Sequence, residues 1–364
     1  MLSIISTNYP EHNLLALRYY LDKYDCSKMV KFIITLANLD IDIPQWDKRE
    51  LILTQLHCAH LLARSMLCLN RNQFDCIGIY DKLSDPPKPS NANQIDFIQQ
   101  LMLSDSLDPD EMYLLSIEKL HFLFNYFNHI IKTGIHNLTN MITISRNDQT
   151  NSIIDLPLSN IAFCNGFVKY SDTIKVDFAN RKVGGGVLKH GCCQEEIMFL
   201  INPELISIMS LLNTLNANKA ISVSGITQYS KSSSYGFDLE YAGSYDDDSK
   251  QKIIIVDAID YRKHYNDQYL TENKEIELQK IINGFSLAGV ETTISTGHWG
   301  CGAFLGNPKL KFMIQWLGVS LTNNQLKYYI GNNFKTNELS IIYNQFKSKS
   351  TNDLYKAILD FTKP

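Results

Sequence analysis

The chain has 364 residues, of which 45% are hydrophobic and 20% are charged. This composition excludes a disulfide-rich miniprotein and a disordered polymer, because enough apolar side chains are present to offset chain entropy. The 34 basic and 38 acidic residues leave a net charge of −4, which excludes nucleic-acid binding through a general basic field. This length is enough for two domains of ordinary size or one large domain.

The front of the chain has apolar residues at helical spacing. The run from Leu53 to Leu67 predicts one long helix. A second helix is predicted to begin at Pro109, with Asp108 as its N-cap and Glu111 three residues after the cap. Residues 85–91 lie between these helices and contain three prolines, which predict a surface loop.

From about Ser152 the pattern changes to short β-type runs separated by helical patterns. The predicted strands cover residues 160–164, 174–178, 220–224 and 253–257, and the predicted helices cover 275–284 and 308–319. Alternating strands and helices indicate a layered α/β domain. Polar residues at 245–250 predict an exposed loop or hairpin before the last of these strands.

The cysteines and the N-terminal residues indicate in which cellular compartment the protein is expected. No C-x-x-C pair occurs among the eight cysteines, a pattern typical of reduced intracellular thiols. They are Cys26, Cys58, Cys68, Cys76, Cys164, Cys192, Cys193 and Cys301. The first residues lack a secretory signal pattern, and no run of about 18 uncharged apolar residues follows. We therefore expect neither export nor a membrane span.

The most informative segment is the glycine triplet 184–186, followed after seven residues by Gln194, Glu195 and Glu196. Consecutive glycines let a backbone approach a ligand closely, and the apolar run after Gln194 predicts a helix. Neighbouring helical residues point about 100° apart, so the two glutamates should have different roles. The alternative is that both carboxylates only complement the dipole of the helix.

The complete string resembles the signature of the poly(ADP-ribose) glycohydrolase family, which is a glycine triplet, six to eight residues and then Gln-Glu-Glu. Further segments of the chain are similar to this family. They are 56–69, 117–127, 176–180, 201–205, 228–230, 256–260 and 296–304. The resemblance covers most of residues 50–345.

The resemblance implies an α/β macrodomain, a mixed sheet sandwiched by helices, with an N-terminal helical accessory domain. We place the accessory domain at 1–145 and the macrodomain-like catalytic domain at 146–364. The implied activity is hydrolysis of ribose–ribose O-glycosidic bonds in protein-attached poly(ADP-ribose), with release of ADP-ribose. The implied setting is poly(ADP-ribose) catabolism and the DNA damage response, in the cytoplasm, the nucleus or both.

The resemblance also implies roles for individual residues. Glu196 would be the catalytic acid and base, Glu195 and Asn180 would hold ribose hydroxyls, Asp177 would support that pocket, and the glycine triplet would lie against the sugar. The other implied substrate-binding residues are Gln194, Tyr235, Gly297, His298, Gly300, Cys301, Gly302, Ala303 and Phe304. The family usually has Asn at the position of His298. For the aromatic that stacks on adenine, Tyr329 and Phe334 both remain candidates.

Glycosidic hydrolysis fits these residue types, because the leaving alkoxide needs a proton and carboxyl groups commonly supply it. The main alternative is a catalytically inactive ADP-ribose reader with the same fold. An oxidoreductase is disfavoured because the glycines do not follow G-x-G-x-x-G.

We expect no cofactor and no metal, since His57 and His60 on one helix face lack obvious further ligands and are more typical of packed histidines. The expected partners are poly(ADP-ribose) on modified proteins and the ADP-ribose product. We expect no direct nucleic-acid partner, no membrane and a monomeric chain.

Overall fold

A computed structural model describes residues 15–67, 109–212, 214–216, 218–331 and 336–363, together with positions 1, 3, 4 and 69. The predicted loop at 85–91, the predicted cap Asp108 and the candidate Phe334 lie outside these residues. Among the described residues, no helix is both long enough and apolar enough to cross a membrane.

The described residues form ten α-helices and ten strands. In order they are α1 (Leu15–Lys23), α2 (Ser27–Ala37), β1 (Glu50–Thr54), α3 (Gln55–Met66), α4 (Pro109–Thr133), β2 (Met141–Asn147), β3 (Ile161–Cys164), β4 (Ile174–Ala179), α5 (Gln194–Ile201), α6 (Glu204–Ile208), β5 (Ala220–Ile226), β6 (Ser230–Ser233), β7 (Glu240–Ser244), β8 (Gln251–Asp257), α7 (Thr271–Ser286), β9 (Thr293–Thr296), α8 (Pro308–Leu321), β10 (Gln325–Tyr329), α9 (Thr336–Phe346) and α10 (Thr351–Leu359).

Most predicted elements are confirmed, but the helix predicted from Leu53 to Leu67 is wrong at its start. Residues 50–54 form β1, in which Leu51 and Leu53 are buried and their neighbours are not. The helix begins only after Thr54, whose hydroxyl accepts the backbone N–H of His57 while the His57 ring accepts the N–H of Thr54. Burial on alternate residues is the pattern of a strand, so the apolar residues before Thr54 belong to a different element.

Two compact units make up the chain. Unit 1 contains Met1–Thr143, Gly184–Leu212 and Gly225–Ser249, and unit 2 contains Ile144–Val183, Asn213–Ser224 and Lys250–Pro364. In unit 1, α4 packs against α1, α2, α5 and β7. The segment that carries the glycine triplet and both glutamates therefore belongs to the same compact unit as the front helices.

Unit 2 is built on parallel strands in the order β8-β4-β9-β10-β3. In register, Val176 of β4 lies opposite Ile254 of β8, and Leu326 of β10 lies opposite both Ile161 of β3 and Ile294 of β9. These apolar strands belong to a core that also includes residues of α7 and α8, which pack together. Because the strands are parallel, the residues that follow β4, β8 and β9 lie along one edge, where ligands bind in open α/β sheets.

Candidate active site

The glycine triplet in unit 1 holds the two glutamates through its backbone. Gly184 and Gly185 have φ values of +89° and +51°, which only glycine adopts readily. The Gly184 N–H donates to Glu195 Oε1 at 2.7 Å, and the Gly186 N–H donates to Glu196 Oε1 at 2.8 Å. Each glutamate therefore has its own backbone donor in the loop.

A second backbone donor for Glu196 lies at the start of α5. The backbone N–H of Cys193, the N-cap residue, donates to Glu196 Oε2 at 2.9 Å, so both carboxylate oxygens of Glu196 are held by backbone groups. Glu195 and Glu196 are 4% and 8% exposed. The two neighbouring buried carboxylates therefore have different backbone donors.

Two glycines leave just enough space for these carboxylates. A Cβ on Gly185 would lie 2.6 Å from Glu195 Oε2 and even closer to Glu196 Oε1. A Cβ on Gly191 would lie 2.6 Å from Glu196 Oε1. Gly191 lies inside the seven-residue spacer and was not among the predicted site residues. The only sign of its role in the sequence is that a glycine stands within the signature.

Tyr235 lies beside the start of α5. It precedes Gly236 in the β6–β7 hairpin, and the Gly236 N–H donates to the Cys192 carbonyl at 3.0 Å. Desolvation raises the pKa of the Tyr235 hydroxyl, and a hydrogen bond with Cys193 raises it further. The structure thus brings Tyr235 to the helix start that carries Gln194, Glu195 and Glu196, while leaving much of its ring exposed.

Unit 2 contains a cavity of about 440 Å³ at the carboxyl ends of β4 and β8. It is lined by Asn180, Arg181, Leu215, Asp257, Ala258, Ile259, Asp260, Ile276, Lys280 and Phe304. Two of the predicted binding residues, Asn180 and Phe304, therefore share one cavity. Asp177 lies in β4 three residues before Asn180 and is fully buried.

A buried ion pair belongs to this cavity. Lys280 Nζ lies 2.7 Å from Asp257 Oδ1, and both side chains are nearly inaccessible. Burial raises the pKa of Asp257, and the charge of Lys280 opposes that rise. The cavity thus offers fixed polar groups beside the apolar surfaces of Ile276 and Phe304, a mixture typical of small-molecule sites.

The loop that follows β9 packs against the buried residues Val256 and Lys311. The Trp299 indole N–H donates to the Val256 carbonyl at 2.9 Å, and Lys311 Nζ lies 4.2 Å from the centre of a Trp299 ring. Gly300 has a φ of +70°, and a Cβ there would lie 2.5 Å from the Cβ of Ala258. A Cβ on Gly297 would lie 2.7 Å from the Tyr329 carbonyl oxygen. Glycine is therefore required for the loop to pack this closely.

The remaining predicted residues of this loop differ in exposure. His298 Nε2 lies 3.2 Å from the Ile330 carbonyl oxygen, and burial lowers the pKa of its imidazole. Burial raises the pKa of the Cys301 thiol to about 12, so this thiol stays protonated near neutral pH. Gly302 and Ala303 are exposed, while Phe304 is half-buried with the Arg262 guanidinium 5.8 Å from its ring centre.

Comparison with known protein families gives two matches along the chain. The family model described as poly(ADP-ribose) glycohydrolase, macro domain fold, matches residues 149–338. The model described as the helical domain of the same family matches residues 20–146. The chain belongs to the poly(ADP-ribose) glycohydrolase family. The macrodomain fold and the N-terminal helical domain expected from the sequence are confirmed by these matches.

Relatives of this glycohydrolase family occur in animals and plants. Poly(ADP-ribose) glycohydrolase 1 of Caenorhabditis elegans is 32% identical over 240 residues, covering 58% of this chain and 31% of the relative. Poly(ADP-ribose) glycohydrolase 1 of Arabidopsis thaliana is 29% identical over 234 residues, covering 43% of each chain. The chain spans between about a third and a half of the length of the curated relatives it matches.

Solved structures of bacterial poly(ADP-ribose) glycohydrolases show weaker similarity. The crystal structure of the Deinococcus radiodurans protein in complex with ADP-ribose has 13% identity and a TM-score of 0.37, covering 51% of this chain and 83% of that chain. The structure of the Thermomonospora curvata protein has 15% identity and a TM-score of 0.35, covering 49% of this chain and 73% of that chain.

The histidines that raised the question of a metal have structural partners in this glycohydrolase family member. His57 completes the N-terminal cap of α3, and His60 Nδ1 lies 2.8 Å from the Leu36 carbonyl oxygen. The cysteines among the described residues are free thiols, namely Cys26, Cys58, Cys164, Cys192, Cys193 and Cys301.

Proposed function

We propose that the protein hydrolyses ribose–ribose O-glycosidic bonds of poly(ADP-ribose) attached to proteins and releases ADP-ribose. The observation that carries this proposal is the buried carboxylate of Glu196, held by the N–H groups of Gly186 and Cys193 within the family signature. A carboxyl group fixed at both oxygens keeps one orientation toward a reacting bond, which is the requirement for general acid–base catalysis.

In the proposed reaction Glu196 acts twice. Its carboxyl group donates a proton to the ribose oxygen that leaves, while positive charge develops at the anomeric carbon. The resulting carboxylate then removes a proton from the water that attacks this carbon, which returns Glu196 to its acid form. Glu195, held by the Gly184 N–H, orients the hydroxyls of the ribose at the scissile bond.

Further residues are proposed to bind the substrate. Tyr235 and Gln194 contact the substrate beside the start of α5. Asn180 and Phe304 bind the ADP-ribose portion from the unit 2 cavity, and Asp177 supports that pocket from β4. Gly297, His298, Gly300, Cys301, Gly302 and Ala303 form the loop that takes the diphosphate. Glycines leave backbone N–H groups accessible to an anion, so the loop needs no net positive charge.

We further propose a helical accessory domain at 1–145 and a catalytic domain at 146–364. The proposed protein is a monomer inside the cell, in the cytoplasm, the nucleus or both, with no nucleic-acid or membrane partner. The net charge of −4 supports the first of these two exclusions.

The decisive variant is Glu196→Gln, which keeps the shape of the side chain and removes its acid function. We expect ADP-ribose release from automodified polymerase to fall by about 1,000-fold, within the usual contribution of a general acid and base. The dissociation constant for ADP-ribose, measured by calorimetry, should change less than about threefold. The matched control is Glu240→Gln, an exposed glutamate in β7, which should retain full activity.

Full turnover by Glu196→Gln would remove this residue from the catalytic role. A wild-type protein that binds ADP-ribose but releases none from the polymer would instead be an inactive reader.

A further inference from the structure

Lys119 of α4 is a fully buried lysine whose ammonium group lies among backbone carbonyl groups of one loop. Its Nζ lies 3.0 Å from the carbonyl oxygen of Val187, 2.5 Å from that of Lys189 and 2.7 Å from that of Gly191. The Gly186 carbonyl oxygen is a fourth neighbour at 3.5 Å. These four residues belong to the segment from the last glycine of the triplet to the start of α5, far from Lys119 in sequence.

The same segment holds Glu196. Gly186 donates its N–H to Glu196 and directs its carbonyl toward Lys119, so one residue connects the two side chains. Gly191 also connects the two side chains, because its carbonyl accepts from Lys119 while a Cβ added to it would lie 2.6 Å from Glu196 Oε1. A change in the shape of this loop would therefore move the donors and the glycine that define the position of Glu196.

The chemistry of the cluster calls for a cation. Several carbonyl dipoles that point their negative ends at one buried spot repel each other unless a positive charge lies between them. Burial lowers the pKa of Lys119 to about 8, and the charges of Cys192 and Glu196 act against this fall. The amine is accordingly charged at neutral pH and fulfils this requirement.

We propose that Lys119 is a positioning residue for catalysis, a fixed internal cation that holds the loop of residues 186–191 in the shape that orients Glu196. The inference rests on the proposed glycohydrolase activity and adds to it a residue from the helical front of the chain. Lys119 acts through Gly186 and Gly191 and is assigned no contact with the substrate.

The test compares two buried lysines that both donate to backbone carbonyls. Lys119→Met should lower kcat for ADP-ribose release by about 100-fold, the usual effect of a small misplacement of reacting groups, and should leave KM within about threefold. The control is Lys274→Met, because Lys274 in unit 2 is also buried and donates to the carbonyls of Leu359 and Phe361 at 2.7 and 2.8 Å. This control should lose stability but keep its kcat.

A second pair of variants separates orientation from a loss of folding. Lys119→Arg keeps the cation and should stay within about tenfold of the wild-type kcat, whereas the neutral Lys119→Gln should fall about 100-fold. Circular dichroism and the melting temperature of each variant show the folded fraction, and rates are expressed per folded molecule. Equal kcat in the two variants, or a loss that only follows stability, would overturn the inference.

Failure of the proposed function itself has a different signature. If wild type and Lys274→Met release no ADP-ribose, the glycohydrolase activity is wrong. If both release it and Lys119→Met is equally fast, the activity stands and the role of Lys119 is wrong.

Discussion

Gly185 is the residue whose lack of a side chain matters most to the proposed catalytic pair. Its φ of +51° lies in the left-handed region, and any Cβ would strike the carboxylates of both Glu195 and Glu196. We expect Gly185→Ala to lower kcat by about 100-fold, because the carboxylates must move to admit the methyl group. Steady-state release of ADP-ribose measures this effect.

A substitution at a second glycine distinguishes the effect of a steric clash from the effect of backbone strain. Gly134, just after α4, has a φ of +79°, and a Cβ there would meet only Asn137 Nδ2, at an ordinary 3.8 Å. Gly134→Ala should cost about 1–2 kcal/mol of stability through its dihedral and leave the rate unchanged. A comparable loss of kcat in both variants would mean that the effect at Gly185 is general destabilisation.

The sequence could indicate that Glu195, Glu196 and the glycine triplet lie together, because these partners are close along the chain. Gly184 and Gly186 lie 11 and 10 residues before the glutamates they bind, so the whole arrangement is contained in one recognisable string. Lys119 lies 67 to 72 residues from its carbonyl partners. A helical pattern shows which residues are apolar, but it does not show which charged residue is buried by tertiary packing.

Elements with local start signals were the ones that the sequence predicted well. Pro109 begins α4, and Pro308 begins α8 behind Asn307, whose side chain accepts the N–H groups of Lys309 and Leu310. Strand β1 was missed because Leu51, Ile52 and Leu53 are apolar in succession, so that the sequence shows no alternation before the helical pattern begins. What makes it a strand is pairing with distant residues, which no local pattern records.

Strand β10 is anchored through Asp172 in the turn before β4. Asp172 accepts hydrogen bonds from Lys327 Nζ at 2.9 Å, the Tyr329 hydroxyl at 2.7 Å and the Lys169 N–H at 3.2 Å. Burial alone raises the pKa of Asp172, but the bonds from Tyr329, Lys327 and Lys169 outweigh burial and lower its pKa. The charged carboxylate is therefore stabilised more in the folded protein than in the unfolded chain.

We expect Asp172→Asn to lower the free energy of unfolding by about 2 kcal/mol at pH 7, the range for hydrogen bonds to a charged group. A lowered folded pKa gives stability that is present above the unfolded value of about 3.9 and lost as pH falls through the folded pKa. The difference between wild type and variant, measured by urea unfolding, should therefore shrink as the pH falls below about 3.9.

The control for this element is an exposed carboxylate. Asp260 pairs with Arg262 at the surface, and such pairs contribute about 0–1 kcal/mol. Asp260→Asn should therefore change stability far less than Asp172→Asn at pH 7. An undiminished gap between Asp172→Asn and wild type at pH 3 would show that packing, and not the carboxylate charge, is responsible.

The two compact units contain different parts of the proposed machinery. The glycine triplet and the start of α5 belong to unit 1 together with α4, although they follow the first strands of the α/β region in sequence. The cavity with Asn180 and Phe304 belongs entirely to unit 2. Sequence reasoning divides a chain at one point, whereas compactness here groups segments that are far apart along the chain. We infer that turnover and ADP-ribose affinity can be changed separately.

Phe304 and Lys119 test this separation. Phe304→Ala removes an aromatic face from the unit 2 cavity and should raise the ADP-ribose dissociation constant about tenfold, which corresponds to about 1.4 kcal/mol. Its kcat at saturating polymer should stay within about threefold of wild type. Lys119→Met should show the opposite result, with kcat lowered and affinity retained.

The double variant Phe304→Ala, Lys119→Met then decides whether the two effects are independent. Free-energy changes at separate sites add, so a tenfold loss of affinity and a 100-fold loss of kcat should together lower kcat/KM by about 1,000-fold. Calorimetry for ADP-ribose and initial rates on automodified polymerase provide the two numbers. A double variant no worse than Lys119→Met alone would mean that both residues act on one step, and affinity and turnover could then not be changed separately.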